Sequence, residues 1–106
     1  MGYKVVITTR ANEDLRQVVT FLAAKNSSAA ERLGFRLLDV AQSLADMPHR
    51  GIQVRARGNV GRIPCGQWHV IYYRVIEAAQ VIETAQVIEI LRCWDGRRNH
   101  ADLRLG

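Results

Sequence analysis

The stretch Trp68-His-Val-Ile-Tyr-Tyr-Arg-Val-Ile76 carries the strongest β-strand pattern in the chain. Its β-branched and aromatic residues favour extended backbone over helix. Two further candidate strands flank it in the sequence. One is an interrupted strand near residues 60–65, and the other runs from Val87 to Trp94, where Asp95-Gly96 indicates its end. The second half of the chain is therefore predicted to be rich in β-structure.

The first half has the pattern of one short strand followed by two helices. Residues 3–8, Tyr-Lys-Val-Val-Ile-Thr, are rich in β-branched side chains and predict a short strand, and Thr9 is a candidate N-cap for the first helix. Ser28 and Glu31 form a Ser-x-x-Glu capping box that predicts the start of the second helix. Apolar residues at helical spacing follow each start, and Pro48 indicates the end of the second helix. The short polar link between the helices predicts an antiparallel helical hairpin.

The predicted element order is β-α-α-β-β-β. This order favours an α+β fold, in which a helical hairpin packs on a small, mostly antiparallel sheet. A chain of 106 residues has room for one hydrophobic core, so residues 1–106 are expected to form a single domain.

A short repeat interrupts the last predicted hairpin. The sequence Ala-Gln-Val-Ile-Glu occurs at 79–83 and again at 85–89, which suggests a duplication of six residues within 79–84. The segment 75–94 lacks residues that favour a tight turn, and its Ala, Glu and Gln content also permits a helix; we favour an extended hairpin. Six is an even number, so strand pairing could slip by six without inverting the faces. A homodimer that exchanges a strand through 75–94 is therefore a further hypothesis.

Composition excludes several classes of protein. Hydrophobic residues make up 48% of the chain and charged residues 24%, as in an ordinary globular domain. No apolar run approaches the ~18 residues of a membrane span, and no leader peptide is evident, so a cytoplasmic protein is expected. Cys65 and Cys93 lack the spacing of a metal or redox motif and are expected to be inert packing residues. No metal or cofactor is expected. The net charge of +5 suits an anionic partner.

Five stretches, in order and at matching spacing, make the chain similar to the ParE-type toxins of the ParE/RelE toxin–antitoxin (plasmid stabilisation) family. The resemblance covers nearly the whole sequence. Asp95 stands where the family usually has histidine, and Asn99 stands where it usually has aspartate. The matching stretches are Ala-Asn-Glu-Asp-Leu (11–15), Leu-Ala-Asp-Met-Pro-His-Arg-Gly (44–51), Arg-Ile-Pro-Cys-Gly (62–66), His-Val-Ile-Tyr-Tyr-Arg-Val (69–75) and Ile-Leu-Arg-Cys-Trp-Asp-Gly-Arg-Arg-Asn (90–99).

The resemblance implies a toxin that inhibits DNA gyrase without being an enzyme and that a ParD-like antitoxin neutralises. Two alternatives stay open at this point. The first is a ribosome-dependent mRNA endonuclease of the RelE type. The second is an inactive relative that serves as an antitoxin-binding partner, its activity lost through Asp95, Asn99 or the repeat.

The endonuclease alternative needs a general base, a proton donor and cations for the phosphorane charge. His69 suits proton transfer and arginines suit charge stabilisation. We therefore name four candidate catalytic residues: His69, Arg62, Arg97 and Arg98. His69 could meet Arg97 and Arg98 on one surface, and Arg62 could supply more positive charge. The competing interpretation of His69 is a half-buried strand residue with a structural hydrogen bond.

Two candidate binding surfaces complete the predictions. The end of the last strand combines arginine and tryptophan, the residue types that dominate interaction hot spots, and a solvated strand end with Trp94 in the core is the competing interpretation. Its candidate target-binding residues are Arg92, Trp94, Asp95, Arg97 and Arg98. The resemblance implies that an antitoxin segment wraps the helical hairpin and sheet, and basic charge suits an acidic segment that orders on binding. The candidate antitoxin-binding residues are Leu15, Val18, Phe21, Leu22 and Leu37.

Overall fold

In a computed structural model that describes residues 3–54, 60–66, 68–76 and 87–97, the chain has two helices and five strands. Strand β1 spans Lys4–Ile7, helix α1 Thr9–Ala23 and helix α2 Ser27–Ser43. Four strands follow: β2 (Ile52–Gln53), β3 (Val60–Cys65), β4 (His69–Ile76) and β5 (Val87–Asp95). The predicted order is confirmed, with the two-residue strand β2 as an unforeseen addition.

The five strands form one mixed sheet in the order β1-β5-β4-β3-β2. β1 lies parallel to β5 at one edge, whereas the other three pairings are antiparallel. The connection from β1 to the rest of the sheet passes through both helices, as a parallel pairing requires. The prediction of a helical hairpin on a small, mostly antiparallel sheet is confirmed.

The predicted starts of both helices differ from the observed caps. Thr8, not Thr9, caps α1, and its side-chain oxygen accepts from the Ala11 backbone N–H at 3.2 Å. Asn26 caps α2, with Oδ1 accepting from the Ala29 backbone N–H at 3.0 Å, so the predicted Ser28–Glu31 capping box does not form. Asn is at least as good a cap as Ser, and Asn26 precedes Ser28 in the chain, so the helix begins two residues earlier than the box requires.

The main core lies between the helices and one face of the sheet, which we call the helix face. Apolar residues on both helices meet inward-facing residues of the three longest strands. The members that decide the packing are Ala11, Leu37, Ala41, Leu44, Ile63, Cys65, Ile71, Tyr73, Ile88, Ile90 and Cys93. A smaller cluster on the other side of the sheet, the second face, consists of Val60, Tyr72, Leu91 and Trp94.

A bulge in β5 changes which residues point at the helices. Tyr72 pairs with Arg92 but Tyr73 pairs with Ile90, so Leu91 is an extra residue on β5. Because side chains alternate along a strand, the extra residue inverts the alternation beyond it. Ile90 faces the helices, and beyond the bulge Cys93 does so as well, whereas Leu91 and Trp94 lie on the second face.

Tyr73 explains why glycine occupies two positions near the other edge of the sheet. Its ring packs directly over Gly61, where an added Cβ would lie 2.6 Å from Cζ. Its hydroxyl accepts from the Gly51 backbone N–H at 3.2 Å. These contacts fasten the segment after α2 to the sheet.

The two strands of the predicted last hairpin lie next to each other in the sheet. β4 and β5 are antiparallel, with Ile76 paired to Val87. The repeat at 79–84 lies outside the described residues, as do Arg98 and Asn99. Neither helix in the described part of the chain has the length and apolar content of a membrane-crossing segment.

Candidate functional site

A groove of about 520 Å³ opens where the C-terminal half of α1 passes over the ends of β4 and β5. Its helical wall is mainly apolar and its sheet wall is polar and aromatic. The residues that line this helix–sheet groove are Gln17, Val18, Phe21, Leu22, Leu33, Trp68, His69, Asp95 and Arg97. The groove therefore combines residues that the sequence assigned to two separate surfaces, one for the antitoxin and one for the target.

The bulge of β5 places Asp95 in this groove. Asp95 follows Cys93 by two residues and so shares the helix face with it. Asp95 pairs in register with His69, the first residue of β4. If the same β5 sequence paired with β4 without a bulge, Asp95 would point to the second face and Trp94 to the helices.

Arg97 is held by Asp95 and Trp68. The Asp95 carboxylate accepts from Arg97 Nε at 3.0 Å, from Nη2 at 2.8 Å and from the backbone N–H at 2.9 Å. The guanidinium lies 4.7 Å from the centre of the Trp68 ring, a cation–π distance. The turn itself is fixed by a hydrogen bond of 2.6 Å from the Gly96 N–H to the Trp68 carbonyl.

These contacts set the charges in the groove. The Arg97 guanidinium, chiefly through its hydrogen bonds, lowers the pKa of Asp95 from 3.8 to about 2. Burial lowers the pKa of His69 below its usual 6.5, with Asp95 opposing this shift and Arg97 adding to it. At neutral pH the groove thus contains a neutral imidazole beside a carboxylate and a guanidinium that compensate each other.

The four candidate nuclease residues do not share one surface. His69 pairs with Cys65 and faces the helices, while Arg62 pairs with Tyr72 on the second face. Arg62 is exposed and lines a different recess with Tyr72 and Gln53. Arg62 therefore does not add its charge beside His69, because the two residues lie an odd number of steps apart in register and side chains alternate. Of the candidates, the structure brings together His69 and Arg97; Arg98 is outside the described residues.

The predicted target-binding cluster is divided as well. Arg92 is 7% exposed and Trp94 is 1% exposed, so neither presents a free side chain for binding. Arg92 donates to Asp14 of α1, and its guanidinium lies 5.1 Å from the centre of the Trp94 ring. Asp95 and Arg97 line the groove together with Trp68, which leaves 46% of its surface exposed.

The predicted antitoxin-binding residues differ in accessibility. Phe21 is 66% exposed, and Val18 and Leu22 are half-buried in the wall of the groove. Leu15 is partly buried against the core. Leu37 is 2% exposed, so its placement on a binding face is wrong: its position on α2 points into the sheet.

Three contributors were not foreseen from the sequence. Trp68 is the first residue of the predicted strand and was not named as a site residue, although its neighbour His69 was a candidate. Leu33 is one of the apolar residues at helical spacing in the second helix, and that spacing does not distinguish a core residue from a groove residue. For Asp14, no signal beyond a negative charge near a helix start was available.

Comparison with known proteins gives one family model and several similar proteins. The model described as the ParE toxin of the type II toxin–antitoxin system matches residues 5–100. Toxin RelE1 of Caulobacter vibrioides is 30% identical over 97 residues, which cover 91% of this chain and 96% of that protein.

Two solved structures share the fold. A chain of the chromosomal ParDE toxin–antitoxin system of P. aeruginosa has a TM-score of 0.67 at 14% identity, covering 88% of this chain and 95% of its own length. A chain of the RelBE2 toxin–antitoxin complex of Mycobacterium tuberculosis has a TM-score of 0.56 at 21% identity, covering 90% and 99%.

Proposed function

Because the chain belongs to the ParE toxin family of type II toxin–antitoxin systems, we propose that it inhibits DNA gyrase and that a ParD-like antitoxin neutralises it. In this proposal the toxin acts by binding and is not an enzyme. The observation that carries the choice of target is the separation of His69 and Arg62 on opposite faces of the sheet.

A phosphoryl-transfer site needs uncompensated cations near the base, because negative charge develops on the phosphorane oxygens. Arg97 is the described cation beside His69, and Asp95 already accepts from its Nε and Nη2. The Asp95 carboxylate also stays ionised at neutral pH, so it would repel a phosphate that approached His69. The groove is therefore better suited to a protein surface than to an RNA backbone.

The helix–sheet groove has the character of a protein-binding site. It offers exposed aromatic surface on Phe21 and Trp68, half-buried aliphatic residues between them, and one polar cluster at its end. Binding hot spots combine such aromatic anchors with arginine. We propose that the antitoxin occupies this groove and that Trp68 and Arg97 contribute to target binding, which would make the two partners mutually exclusive.

The experiment is to produce the chain alone in a bacterium and to follow DNA and mRNA together. Gyrase inhibition predicts broken chromosomal DNA and an SOS response, and purified protein should trap gyrase on cleaved plasmid DNA. Rapid mRNA cleavage with intact DNA would refute the gyrase target, and normal growth would identify an inactive relative. Trp68→Ala should weaken gyrase trapping, whereas Phe35→Ala, on an exposed aromatic residue outside this groove, provides the control.

Two observations favour mRNA cleavage as the second candidate. The relative named Toxin RelE1 covers almost the whole chain, and the lowered pKa of His69 keeps its imidazole neutral, as a general base requires. If the chain cleaves mRNA on the ribosome, His69→Ala should abolish cleavage and His69→Gln should not restore it. If His69→Ala cleaved mRNA as fast as the unchanged chain does, His69 would not belong to the catalytic site.

A further inference from the structure

Thr8 connects the start of helix α1 to the bulged part of strand β5. It lies between the last residue of β1 and the first residue of α1, and with φ −66° and ψ 159° its backbone is still extended. Its N–H donates to the Ile90 carbonyl at 3.1 Å. Its hydroxyl donates to the same carbonyl at 2.7 Å and lies 3.4 Å from the Leu91 carbonyl. One side chain therefore contacts the carbonyls of two successive β5 residues.

This double contact is specific to the bulged form of β5. In a regular strand, successive carbonyls point to opposite edges, so one hydroxyl would reach only one of them. The extra residue Leu91 interrupts this alternation, and both carbonyls come within reach of Thr8 at the edge where β1 ends. The contacts of Thr8 therefore stabilise the bulge relative to a regular strand.

The Thr8 hydroxyl suits this position because it donates and accepts at the same time. While its hydrogen is directed at β5, its oxygen accepts from the Ala11 N–H at 3.2 Å and so caps α1. A helix cap needs only an acceptor, which Asn or Asp provides at least as well as Thr. The donor function is thus separate from the cap, and substitutions can remove one while keeping the other.

We propose that Thr8 is a positioning residue of the helix–sheet groove: its hydroxyl holds the bulge at Leu91 and thereby keeps Asp95 on the helix face. Loss of the bulge would invert the faces of the residues beyond it. Asp95 would then leave the groove together with Arg97, which it holds, and Trp94 would turn toward the helices. Thr8 is half-buried and is not among the residues that line the groove, so its effect passes through β5.

The test compares two side chains of the same shape in the full chain. Thr8→Asn and Thr8→Asp both supply an oxygen that caps α1, but only Asn retains an N–H donor for Ile90, since an ionised carboxylate accepts only. Circular dichroism should show the same helix content for both variants. In NMR spectra, Thr8→Asn should keep single amide signals for residues 91–95. Thr8→Asp should double or broaden them, because β5 would exchange between two registers.

The Trp94 ring shows which face it occupies. Its nuclear Overhauser contacts with Val60 and Tyr72 are characteristic of the second face and should persist in Thr8→Asn. In Thr8→Asp these contacts should weaken, and new contacts with helix-face residues such as Leu37 should appear. Unchanged amide signals for residues 91–95 and unchanged Trp94 contacts in Thr8→Asp would overturn the proposal.

A second pair of variants tests the proposal even if Thr8→Asp does not fold. Thr8→Val removes the cap and the donor together with little change of shape. Asn26→Ala removes the corresponding cap of α2, whose oxygen accepts from Ala29 within the same helix. Each variant loses one N-cap, so both should lose similar stability, but only Thr8→Val should disturb the signals of residues 91–95. Equal effects on these signals would assign Thr8 to capping alone and overturn the proposal.

Only the consequence for target binding rests on the proposed function. If Arg97 contributes to gyrase binding, Thr8→Asp should trap gyrase at least about tenfold less efficiently than Thr8→Asn. The NMR experiment contains no gyrase, so a chain that leaves gyrase unaffected would lose the proposed target and keep the role of Thr8. Equal trapping by the two variants, with the bulge lost in Thr8→Asp, would likewise keep the role of Thr8 and exclude Arg97 from the target surface.

Discussion

The Arg92 guanidinium and the Asp14 carboxylate form a bidentate ion pair, with Nε to Oδ2 at 2.6 Å and Nη2 to Oδ1 at 2.9 Å. Oδ2 also accepts from the backbone N–H of Cys93 at 3.1 Å. Pairing of β1 with β5 ends at Ile90, so Asp14 satisfies the edge of β5 where its neighbouring strand has stopped. The pair therefore joins α1 to the bulged part of β5. The bulge in turn places Asp95 in the helix–sheet groove.

We predict that Asp14→Ala lowers the free energy of unfolding by about 3–5 kcal/mol, because it leaves a buried guanidinium without its carboxylate. Both side chains are about nine-tenths buried, with 9% of Arg92 and 12% of Asp14 exposed. Urea denaturation followed by circular dichroism measures the change. Glu13→Ala, which removes an exposed pair with Arg16, is the matched control and should cost less than about 1 kcal/mol. Similar losses in both variants would contradict this role of Asp14.

The lowered pKa of Asp95 predicts how the free energy of unfolding changes in acid. Its pKa is about 2 in the folded protein against 3.8 ordinarily, so the unfolded chain binds the proton more readily between these values. The stabilisation from Asp95 is fully present above about pH 5 and is lost as the pH falls through 4 to 2. Asp95→Asn should flatten this part of the stability curve, measured as thermal midpoints from pH 2 to 6. Asp46→Asn, on an exposed aspartate outside the groove, should leave the curve unchanged; an unaltered curve in Asp95→Asn would refute the prediction.

His69 should report on the same carboxylate. Asp95 raises the His69 pKa against the larger effect of burial, while Arg97 lowers it. Asp95→Asn should therefore move the His69 pKa further down, and Arg97→Ala should move it up. An NMR titration of the His69 ring protons distinguishes the two variants. Shifts in the same direction would show that His69 does not sense the Asp95–Arg97 pair.

Gly61 should not tolerate a side chain. A Cβ there would lie 2.6 Å from Tyr73 Cζ, inside the buried core, so Gly61→Ala should cost about 1–3 kcal/mol through overpacking. Gly34→Ala is the matched control, since its Cβ would meet Val19 Cγ2 at an ordinary 3.6 Å within a helix. That change should stabilise the protein by up to about 1 kcal/mol. Denaturation midpoints decide between these opposite signs.

Leu37 is buried in the core and Phe21 is exposed on the helical hairpin, so alanine substitutions at the two positions should have different effects. Leu37→Ala should destabilise the fold by about 2–5 kcal/mol because it opens a cavity in the main core. Phe21→Ala should change stability by less than about 0.5 kcal/mol and instead weaken antitoxin binding. Calorimetry with the cognate antitoxin measures the second effect. Unchanged affinity in Phe21→Ala would remove Phe21 from the interface.

The local sequence determined the elements and their order. Alternation with a period of two indicated the strands near 60–65, 68–76 and 87–94, and a period of three to four residues indicated both helices. Five motif stretches indicated the family. Such signals are local, since they depend on neighbours within one turn or one strand. The same signals named Phe21, Val18, Asp95 and Arg97, which the structure brings to one groove.

The tertiary structure decided which side chains meet. Alternation along each strand was evident in the sequence, but an extra residue at Leu91 inverted it, so Trp94 turned away from the helices and Asp95 toward them. The early end of β1 gave Asp14 and Arg92 their pairing, although 78 positions separate them. Register and edges arise from contacts between distant segments, and no local pattern encodes them. For this reason the candidates were found from sequence, while their division between groove, core and second face required the folded chain.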